Sequence, residues 1–259
     1  MNTQLFVLAH KPSVPLFNYS DIHNFIHTGA IFGNEISYFY RDDSGDNISN
    51  KNQIYSEMTG EYWVWKNYDP VDIIGFEHYR RHFPLSKDEI ENLLSTDYDI
   101  IVHSAIKTRI PIEVHYQLCH SEFDIDLIKQ IIADLYPDYT PSYNACIANN
   151  DIIIPCNMFI THWDIYDKMM KFIFDILFEF EKRINAQTID DWMMHVKSYS
   201  KHTQPNYHAI NGSTWQQYQL RICAFLAERL MTLWIYHNIP DDRIMPIVID
   251  EIATAAPQN

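Results

Sequence analysis

The sequence predicts an α/β fold in which a mixed sheet is flanked by helices and followed by a helical C-terminal part. Short apolar runs with the length of buried strands alternate with stretches whose apolar residues recur at the helical period. The stretch from about Gln217 to Tyr236 is apolar nearly all round, which is typical of a buried helix. With 259 residues, of which 47% are hydrophobic, the chain suffices for one domain with a substantial core.

The predicted elements follow one another without repeats or low-complexity tracts. In chain order they are a strand over Leu5 to Ala9, a helix from Ser49 or Asn50, a strand over Val71 to Phe76, a helix from Ser86 to Leu94, a strand over Asp99 to Val102, a helix that ends before Pro137, a strand over Asp151 to Pro155, and helices around 165–180 and 217–236. The second of these helices carries a capping box, since Glu89 follows Ser86 by three residues. The polar stretch from Ser198 to Gly212 is the best candidate for an acceptor-side loop.

Charge and composition narrow the class of protein. The 19 basic and 34 acidic residues give a net charge of −15, which argues against nucleic acid as a partner. No leader sequence and no apolar run of about 18 residues is recognisable, so we expect a cytoplasmic protein without a transmembrane segment, with peripheral association at the inner face of the membrane as an alternative. Scattered cysteines without CxxC spacing predict reduced thiols instead of a structural zinc site.

The segment from Asp42 to Phe83 combines a polar loop, a helix, a buried strand and a cationic cluster. Its loop contains a turn signal at Gly45-Asp46-Asn47, and the apolar strand ends at a run of histidine, tyrosine and arginine. Ligands of open α/β sheets bind at the carboxyl ends of strands. The segment therefore predicts half of a nucleotide-binding site, to which His10 and Lys11 contribute because they follow the first strand.

Two interpretations of the cationic cluster are open. Arg80 and Arg81 keep their charge at any ordinary pH, and guanidinium groups match phosphate oxygens in pairs, so a diphosphate is one fitting partner. His78 adds a donor that becomes cationic near pH 6.5. The other interpretation is an arginine-rich strand end paired with acidic neighbours, in a chain that has surplus carboxylates.

Motifs along nearly the whole chain resemble a known family. They are GDNIS at 45–49, Lys51-Asn52, Tyr55-Ser56-Glu57, YWVWKN at 62–67, HYRR at 78–81, Tyr116 with His120, NMFI at 157–160, ILFE at 176–179, and Arg221 with Phe225 and AERL at 227–230. This set is similar to the signature of bacterial capsular-polysaccharide and lipopolysaccharide glycosyltransferases, long catalogued as a domain of unknown function. His82 and Ala224 depart from it, because an aromatic residue and a glycine are common there.

The resemblance implies transfer of a sugar, galactosyl or galactofuranosyl, from a UDP-sugar to a growing glycan or lipid-linked glycan in capsule or O-antigen synthesis. It also implies a GT-A-like sheet and a single domain over 1–259, with about 1–105 binding the nucleotide sugar and about 106–259 facing the acceptor. The residues expected at the donor are His10, Lys11, Asp46, Asn47, Lys51, Asn52, His78, Arg80 and Arg81. His120 and Asn157 are expected at the acceptor, although an asparagine that closes a strand is as often a backbone cap.

The order of loop, basic residue with asparagine, helix and strand is also similar to that of GT-A glycosyltransferases, in which an Asp-x-Asp motif follows and holds a metal-bound diphosphate. Here Glu77-His78-Tyr79-Arg80-Arg81 takes the place of that motif. Arginine and histidine neutralise a leaving diphosphate directly, so we expect a metal-independent enzyme without a cofactor. A cluster of Asp42, Asp43, Asp46 and Glu77 around Mg²⁺ or Mn²⁺ is the alternative.

Direct displacement of the nucleotide requires a base opposite the leaving group. The candidate carboxylates are Asp124, Asp126 and Glu228, and the last of these is also a candidate for an ion pair with Arg229. A glycan- or nucleotide-binding module without turnover, with Tyr62, Trp63 and Trp65 as a stacking platform, is the second hypothesis. A phosphate-ester hydrolase that uses His78 is the third.

Overall fold

The computed structural model describes residues 1–10, 17–33, 40–199 and 214–252, and the chain forms two compact units. The first unit contains Met1–Ala105, Ile154–Met170 and Ile239–Asn259, and the second contains Ile106–Ile153 and Lys171–Asn238. The predicted boundary near residue 105 coincides with the end of the first segment of the first unit. The first unit also includes two later segments, which the prediction had placed in the second half. The functional division near residue 105 stays a prediction.

Nine strands of the described residues form the sheet of the first unit. The strands of the chain are β1 Thr3–Ala9, β2 His23–His27, β3 Tyr40–Arg41, β4 Ile73–His78, β5 Arg81–His82, β6 Ile100–His103, β7 Ile106–Lys107, β8 Ile152–Ile153, β9 Phe159–His162, β10 Ile244–Ile247 and β11 Asp250–Glu251. The order is β10-β6-β9-β4-β1-β2-β3, with β5 paired to β4 and β11 to β5.

The sheet is mixed, as predicted. The four strands β4, β1, β2 and β3 are parallel, whereas β9 runs antiparallel to both β4 and β6. All four parallel strands therefore present their carboxyl ends at one edge. Close packing of the central strands requires a glycine, because a Cβ at Gly75 would lie 2.5 Å from Leu5 Cδ2.

The predicted helix after Ser49 is interrupted. A 3₁₀ turn at Ser49–Lys51 leads into α1, Asn52–Tyr55, and α2, Met58–Asn67, follows after a break at Ser56, whose φ is +49°. Apolar residues that recur at the helical period, Ile54, Met58 and Tyr62, form one stripe across the break, and all three are buried. Periodicity revealed the buried face but not the break.

The third helix of the first unit, α3 at Lys87–Thr96, begins as predicted. Both hydrogen bonds of the capping box between Ser86 and Glu89 are present. Its buried residues Ile90 and Leu94 pack in one cluster with Leu5, Ile73 and other apolar side chains of the sheet. This cluster covers one face of the sheet.

The second unit is helical apart from a short β7–β8 ribbon. Its helices are α4 Ile112–Cys119, α5 Glu122–Leu135, α6 Thr140–Tyr143, the larger part of α7 Trp163–Arg183, α8 Ile189–Lys197, α9 Trp215–Gln219 and α10 Ile222–Asn238. The strand predicted over Asp151 to Pro155 is limited to Ile152–Ile153 and pairs with β7 in this ribbon. The predicted C-terminal helix is split into α9 and α10, and α10 is buried nearly all round.

No helix among the described residues is both long enough and apolar enough to cross a bilayer. Most of the predicted loop from Ser198 to Gly212 lies outside the described residues, as does Lys11.

Candidate functional site

The carboxyl ends of the four parallel strands lie side by side in the first unit. Leu8 of β1 is opposite His78 of β4, and Ala9 is opposite His27 of β2, which in turn is opposite Arg41 of β3. The loops that follow these strands therefore begin at one level of the sheet. This edge is where a ligand of a parallel α/β sheet binds.

Asp42 fixes two of these loops to each other. Its carboxylate is fully buried and accepts hydrogen bonds from the backbone N–H groups of Gly29 at 2.7 Å and Ala30 at 2.9 Å, and from the Ser49 hydroxyl at 2.5 Å. Gly29 takes a φ of +68°, which glycine adopts without strain. Both carboxylate oxygens of Asp42 are thus occupied by the protein.

The turn at Gly45-Asp46-Asn47 is tied to the end of α2. Asp46 N–H donates to Asn67 Oδ1 at 3.0 Å, and Asn67 Nδ2 returns a bond to the Asp46 carbonyl at 2.7 Å. The Tyr62 hydroxyl donates to the Asp46 carboxylate at 3.0 Å, and Asn47 Nδ2 donates to the Gly45 carbonyl at 3.0 Å. A Cβ at Gly45 would lie 2.0 Å from Asn67 Oδ1. The turn is therefore held in one conformation, with Asp46 exposed.

Asn52 lies between the loop after β2 and the break in the helix. Its Nδ2 donates to the Ser56 carbonyl at 2.7 Å and to Thr59 Oγ1 at 3.1 Å, and its Oδ1 would be 2.7 Å from a Cβ on Gly29. Lys51 precedes it in the 3₁₀ turn. Asn52 thus stabilises the unusual backbone at Ser56.

The cationic turn after β4 separates its two arginines. Arg81 donates to Glu251 Oε1 of β11 through Nε at 2.8 Å and Nη2 at 2.7 Å, and its Nη1 lies 3.5 Å from His78 Nδ1. The Arg80 guanidinium lies 5.1 Å from the centre of the Tyr79 ring. Within the described residues, Arg80 has no carboxylate in ion-pair range, so its charge is available to a ligand. On the other side of Tyr79, the exposed His10 makes an edge contact with its ring.

Asn157 occupies a tight turn before β9. Both Cys156 and Asn157 have positive φ values, +76° and +49°, and asparagine tolerates this region better than most residues. Asn157 is buried, and its Nδ2 donates to Glu57 Oε1 at 3.0 Å. Asn157 thus occupies a position with positive φ and makes a polar contact with the start of the helix that precedes β4, and its role as cap or acceptor contact stays a prediction.

His120 belongs to the second unit and is buried there. Its Nδ1–H donates to Gln219 Oε1 at 2.8 Å, and its ring stacks on Phe225. Burial and the nearby Arg229 lower the pKa of His120 to about 3. The imidazole is thus neutral at physiological pH.

The three carboxylates considered as bases also lie in the second unit, in different environments. Asp124 is fully buried and accepts hydrogen bonds from His195 Nε2 at 2.7 Å and from the Tyr199 hydroxyl. Burial raises the pKa of Asp126. Glu228 accepts a bond from Arg229 Nη1 at 2.7 Å, which is the ion pair that the sequence suggested.

Sequence reasoning overlooked the carboxyl group of Glu61 in α2. It is fully buried, and neither of its oxygens makes a hydrogen bond with a described residue. Burial and the neighbouring Glu57 raise the pKa of Glu61 well above its ordinary value, which favours the protonated form. The spacing in the sequence could have indicated it, because residues three or four positions apart share one face of a helix. Glu61 follows Met58 of the apolar face by three residues and Glu57 by four.

Comparison with solved structures gives a match to the apo structure of WbbM, described as a bifunctional glycosyltransferase. The TM-score is 0.77 at 23% sequence identity, over 97% of this chain and 45% of that chain. The chain thus spans less than half the length of the protein it resembles, and the likeness at this identity concerns the fold. It confirms the predicted GT-A-like mixed sheet with helices at the C-terminal side.

Comparison with curated protein sequences gives no match. The profile of a domain of unknown function, DUF4422, matches residues 4–201, which is more than half of the chain. The chain belongs to the DUF4422 family.

Proposed function

We propose that the chain is a glycosyltransferase that moves a galactosyl or galactofuranosyl group from a UDP-sugar to a growing surface-polysaccharide acceptor in the cytoplasm. The observation that carries the proposal is the edge of four parallel strands in the first unit, where Arg80 has an available charge beside loops of fixed conformation. The fold shared with a protein described as a bifunctional glycosyltransferase supports it.

The donor diphosphate fits the cationic turn after β4. A guanidinium group binds phosphate oxygens through two N–H donors, and positive charge stabilises the diphosphate as it leaves the sugar. Arg80 supplies that charge directly, whereas Arg81 has to give up its ion pair with Glu251 before it can bind a phosphate. His78 lies within 3.5 Å of Arg81 and adds a further polar group.

The aromatic residues favour a transferase over a binding module that stacks sugars or bases on α2. Tyr62 and Trp63 are buried in the first unit, and the Lys66 ammonium group covers the Trp65 ring at 3.3 Å. Such rings support the fold and leave no open aromatic platform on this helix.

A panel of nucleotide sugars tests the proposal. Binding is measured by calorimetry, and release of nucleotide diphosphate is measured with and without glycan acceptors. The proposal requires one UDP-sugar to bind and to release UDP in an acceptor-dependent reaction. Binding without UDP release for every acceptor would instead show a module without turnover.

Turnover is expected to persist in EDTA. Of the carboxylates near the strand ends, Asp42 is occupied by backbone donors and Asp43 is paired with Arg41 at 2.5 Å, so neither is free to hold a cation. Side-chain hydrogen bonding to Arg41 also lowers the pKa of Asp43. UDP release is measured after chelation and again after addition of Mn²⁺ or Mg²⁺. Activity that vanishes in EDTA and returns with Mn²⁺ or Mg²⁺, but not with Zn²⁺, contradicts the expectation.

Asn52 and Asn157 are expected to affect different steps. Asn52→Ala should weaken donor binding first, because Asn52 supports the loops at the carboxyl edge. Asn157→Gly should leave donor binding intact and slow transfer, with a loss of about 0.5 to 1.5 kcal/mol for one hydrogen bond. Glycine is the appropriate substitution at Asn157 because it tolerates the φ of +49°.

Both variants are titrated with UDP-galactose and then assayed for transfer, with unfolding curves as the control for stability. Asn157→Ala serves as a matched comparison that adds backbone strain to the loss of the amide. Equal losses of donor affinity in Asn52→Ala and Asn157→Gly would rule out a division of the two roles.

A further inference from the structure

His23, Glu77 and His82 converge on one face of the sheet. Leu5 of β1 is opposite both His23 of β2 and Gly75 of β4. Side chains alternate along a strand, so Glu77 points to the same face as His23. The antiparallel turn into β5 returns His82 to this place. One ligand atom from each of His23, Glu77 and His82 lies within 4.8 Å of the other two.

The carboxylate of Glu77 is held with one oxygen facing the two imidazoles. Its side chain is fully buried, and its Oε1 accepts a hydrogen bond from the Phe83 N–H at 2.8 Å. Its Oε2 lies 2.9 Å from His82 Nδ1 and 3.7 Å from His23 Nε2. A zinc ion with bonds of about 2.0 to 2.2 Å in tetrahedral geometry places its ligand atoms about 3.4 Å apart. The two observed separations lie on either side of this value.

The ring of His23 is oriented for a ligand and lacks a partner at Nε2. Its side chain is only 2% exposed, and Nε2 makes no hydrogen bond with any described residue. Nδ1 accepts a hydrogen bond from the Ser20 N–H at 3.1 Å and also lies 3.3 Å from the Ser20 carbonyl oxygen. In the tautomer whose Nδ1–H donates to that carbonyl instead, Nε2 presents a lone pair to the cluster. A backbone carbonyl is a common outer partner of metal-bound histidine.

Aromatic side chains enclose the cluster. Phe17 stacks on His82 with ring centres 5.2 Å apart, and Tyr19 makes edge contacts with both His23 and His82. The Tyr19 hydroxyl is buried without a hydrogen bond to a described residue.

We propose that His23, Glu77 and His82 bind a divalent transition metal, with zinc as the best match to two imidazole nitrogens and one carboxylate oxygen. A water molecule completes the coordination. In the tautomer with Nδ1 protonated, the ion accepts the lone pair of His23 Nε2, an atom that makes no hydrogen bond with a described residue.

The position of the cluster gives the metal a structural role. Glu77 ends the strand that leads into Tyr79 and Arg80, and His82 begins the chain that leaves this turn. A metal bound to both residues clamps the two ends of the turn. Its ligands lie on a covered sheet face, where their side chains are between 0% and 12% exposed.

Metal titration of the purified chain tests the proposal. The chain is stripped with a chelator and titrated with Zn²⁺ by calorimetry and with Co²⁺ by visible absorption, and the unfolding midpoint is recorded with and without Zn²⁺. His82→Phe removes one ligand and keeps an aromatic ring against Phe17. Glu77→Gln removes the carboxylate charge at nearly constant shape. His237→Phe is the matched control, since His237 is exposed in the second unit.

The wild-type chain and His237→Phe should bind one Zn²⁺ with a tetrahedral Co²⁺ spectrum and a raised unfolding midpoint, whereas His82→Phe should lose at least about 100-fold in affinity. If Glu77→Gln does not fold, as judged by circular dichroism, His82→Phe decides alone. Equal Zn²⁺ affinity in His82→Phe and wild type, or a wild-type chain whose midpoint does not respond to Zn²⁺, overturns the proposal.

Discussion

Replacement of Arg80 by alanine is expected to weaken UDP-sugar binding by roughly tenfold or more, because a charge-assisted hydrogen bond contributes about 1.5 to 3 kcal/mol. Arg80 has no carboxylate within ion-pair range among the described residues, so a ligand can use its charge without breaking an existing ion pair. The unfolding midpoint should change little. Calorimetric titration with UDP and UDP-galactose measures the effect.

Arg81→Ala is the matched comparison on the neighbouring residue. It removes a part-exposed ion pair with Glu251, which contributes about 0 to 1 kcal/mol to stability, and its effect on donor affinity should be the smaller of the two. Arg80→Lys should restore little, since an ammonium group lacks the paired donors of guanidinium. Unchanged affinity in Arg80→Ala, together with a lowered unfolding midpoint, would support the structural interpretation of the cluster.

Asp42→Ala is expected to lower the free energy of unfolding by about 3 to 5 kcal/mol, because each buried donor that loses its acceptor costs about 1 to 3 kcal/mol. Three donors depend on this carboxylate: the N–H groups of Gly29 and Ala30 and the Ser49 hydroxyl. The loops after β2 and β3 should loosen together. Urea unfolding of the variant and the wild type measures the loss.

Asp43→Ala is the control, because it removes the adjacent carboxylate, whose ion pair with Arg41 is partly exposed. Its cost should be about 0 to 1 kcal/mol. Asp42→Asn keeps one acceptor oxygen and should fall between the two. Similar losses in Asp42→Ala and Asp43→Ala would contradict the assignment of Asp42 as the residue that fastens the loops.

Local sequence signals predicted the elements well where one residue pattern decides the structure. The capping box of Ser86 and Glu89 forms in full, and apolar runs mark β1, β4 and β6. The helix broken at Ser56 was not predictable, because the buried stripe continues on both sides of the break. Asn52 stabilises that break through contacts that periodicity does not reveal.

The sequence was sufficient to predict a candidate site at the carboxyl ends of strands, because polar residues come directly after the apolar strand runs. It was not sufficient to predict which residues these polar side chains contact. Arg81 meets Glu251 across 170 residues, and His23 meets Glu77 only through strand order and register. Such pairs depend on topology, which a single sequence does not specify. The roles assigned to the donor, acceptor and base residues therefore stay predictions.

The discontinuity of the first unit affects how the protein is made. The sheet places β9 between β4 and β6, and β10 at its edge beside β6, although β9 and β10 are synthesised long after β4 and β6. Until they emerge from the ribosome, β4 and β6 expose unpaired backbone edges, and pairing of this kind closes slowly because the intervening loop is long. Nascent chains therefore carry unpaired, aggregation-prone strand edges from the synthesis of β4 and β6 until β9 and β10 have emerged. Bacterial expression should benefit from slower synthesis at low temperature and from chaperones that bind open strands.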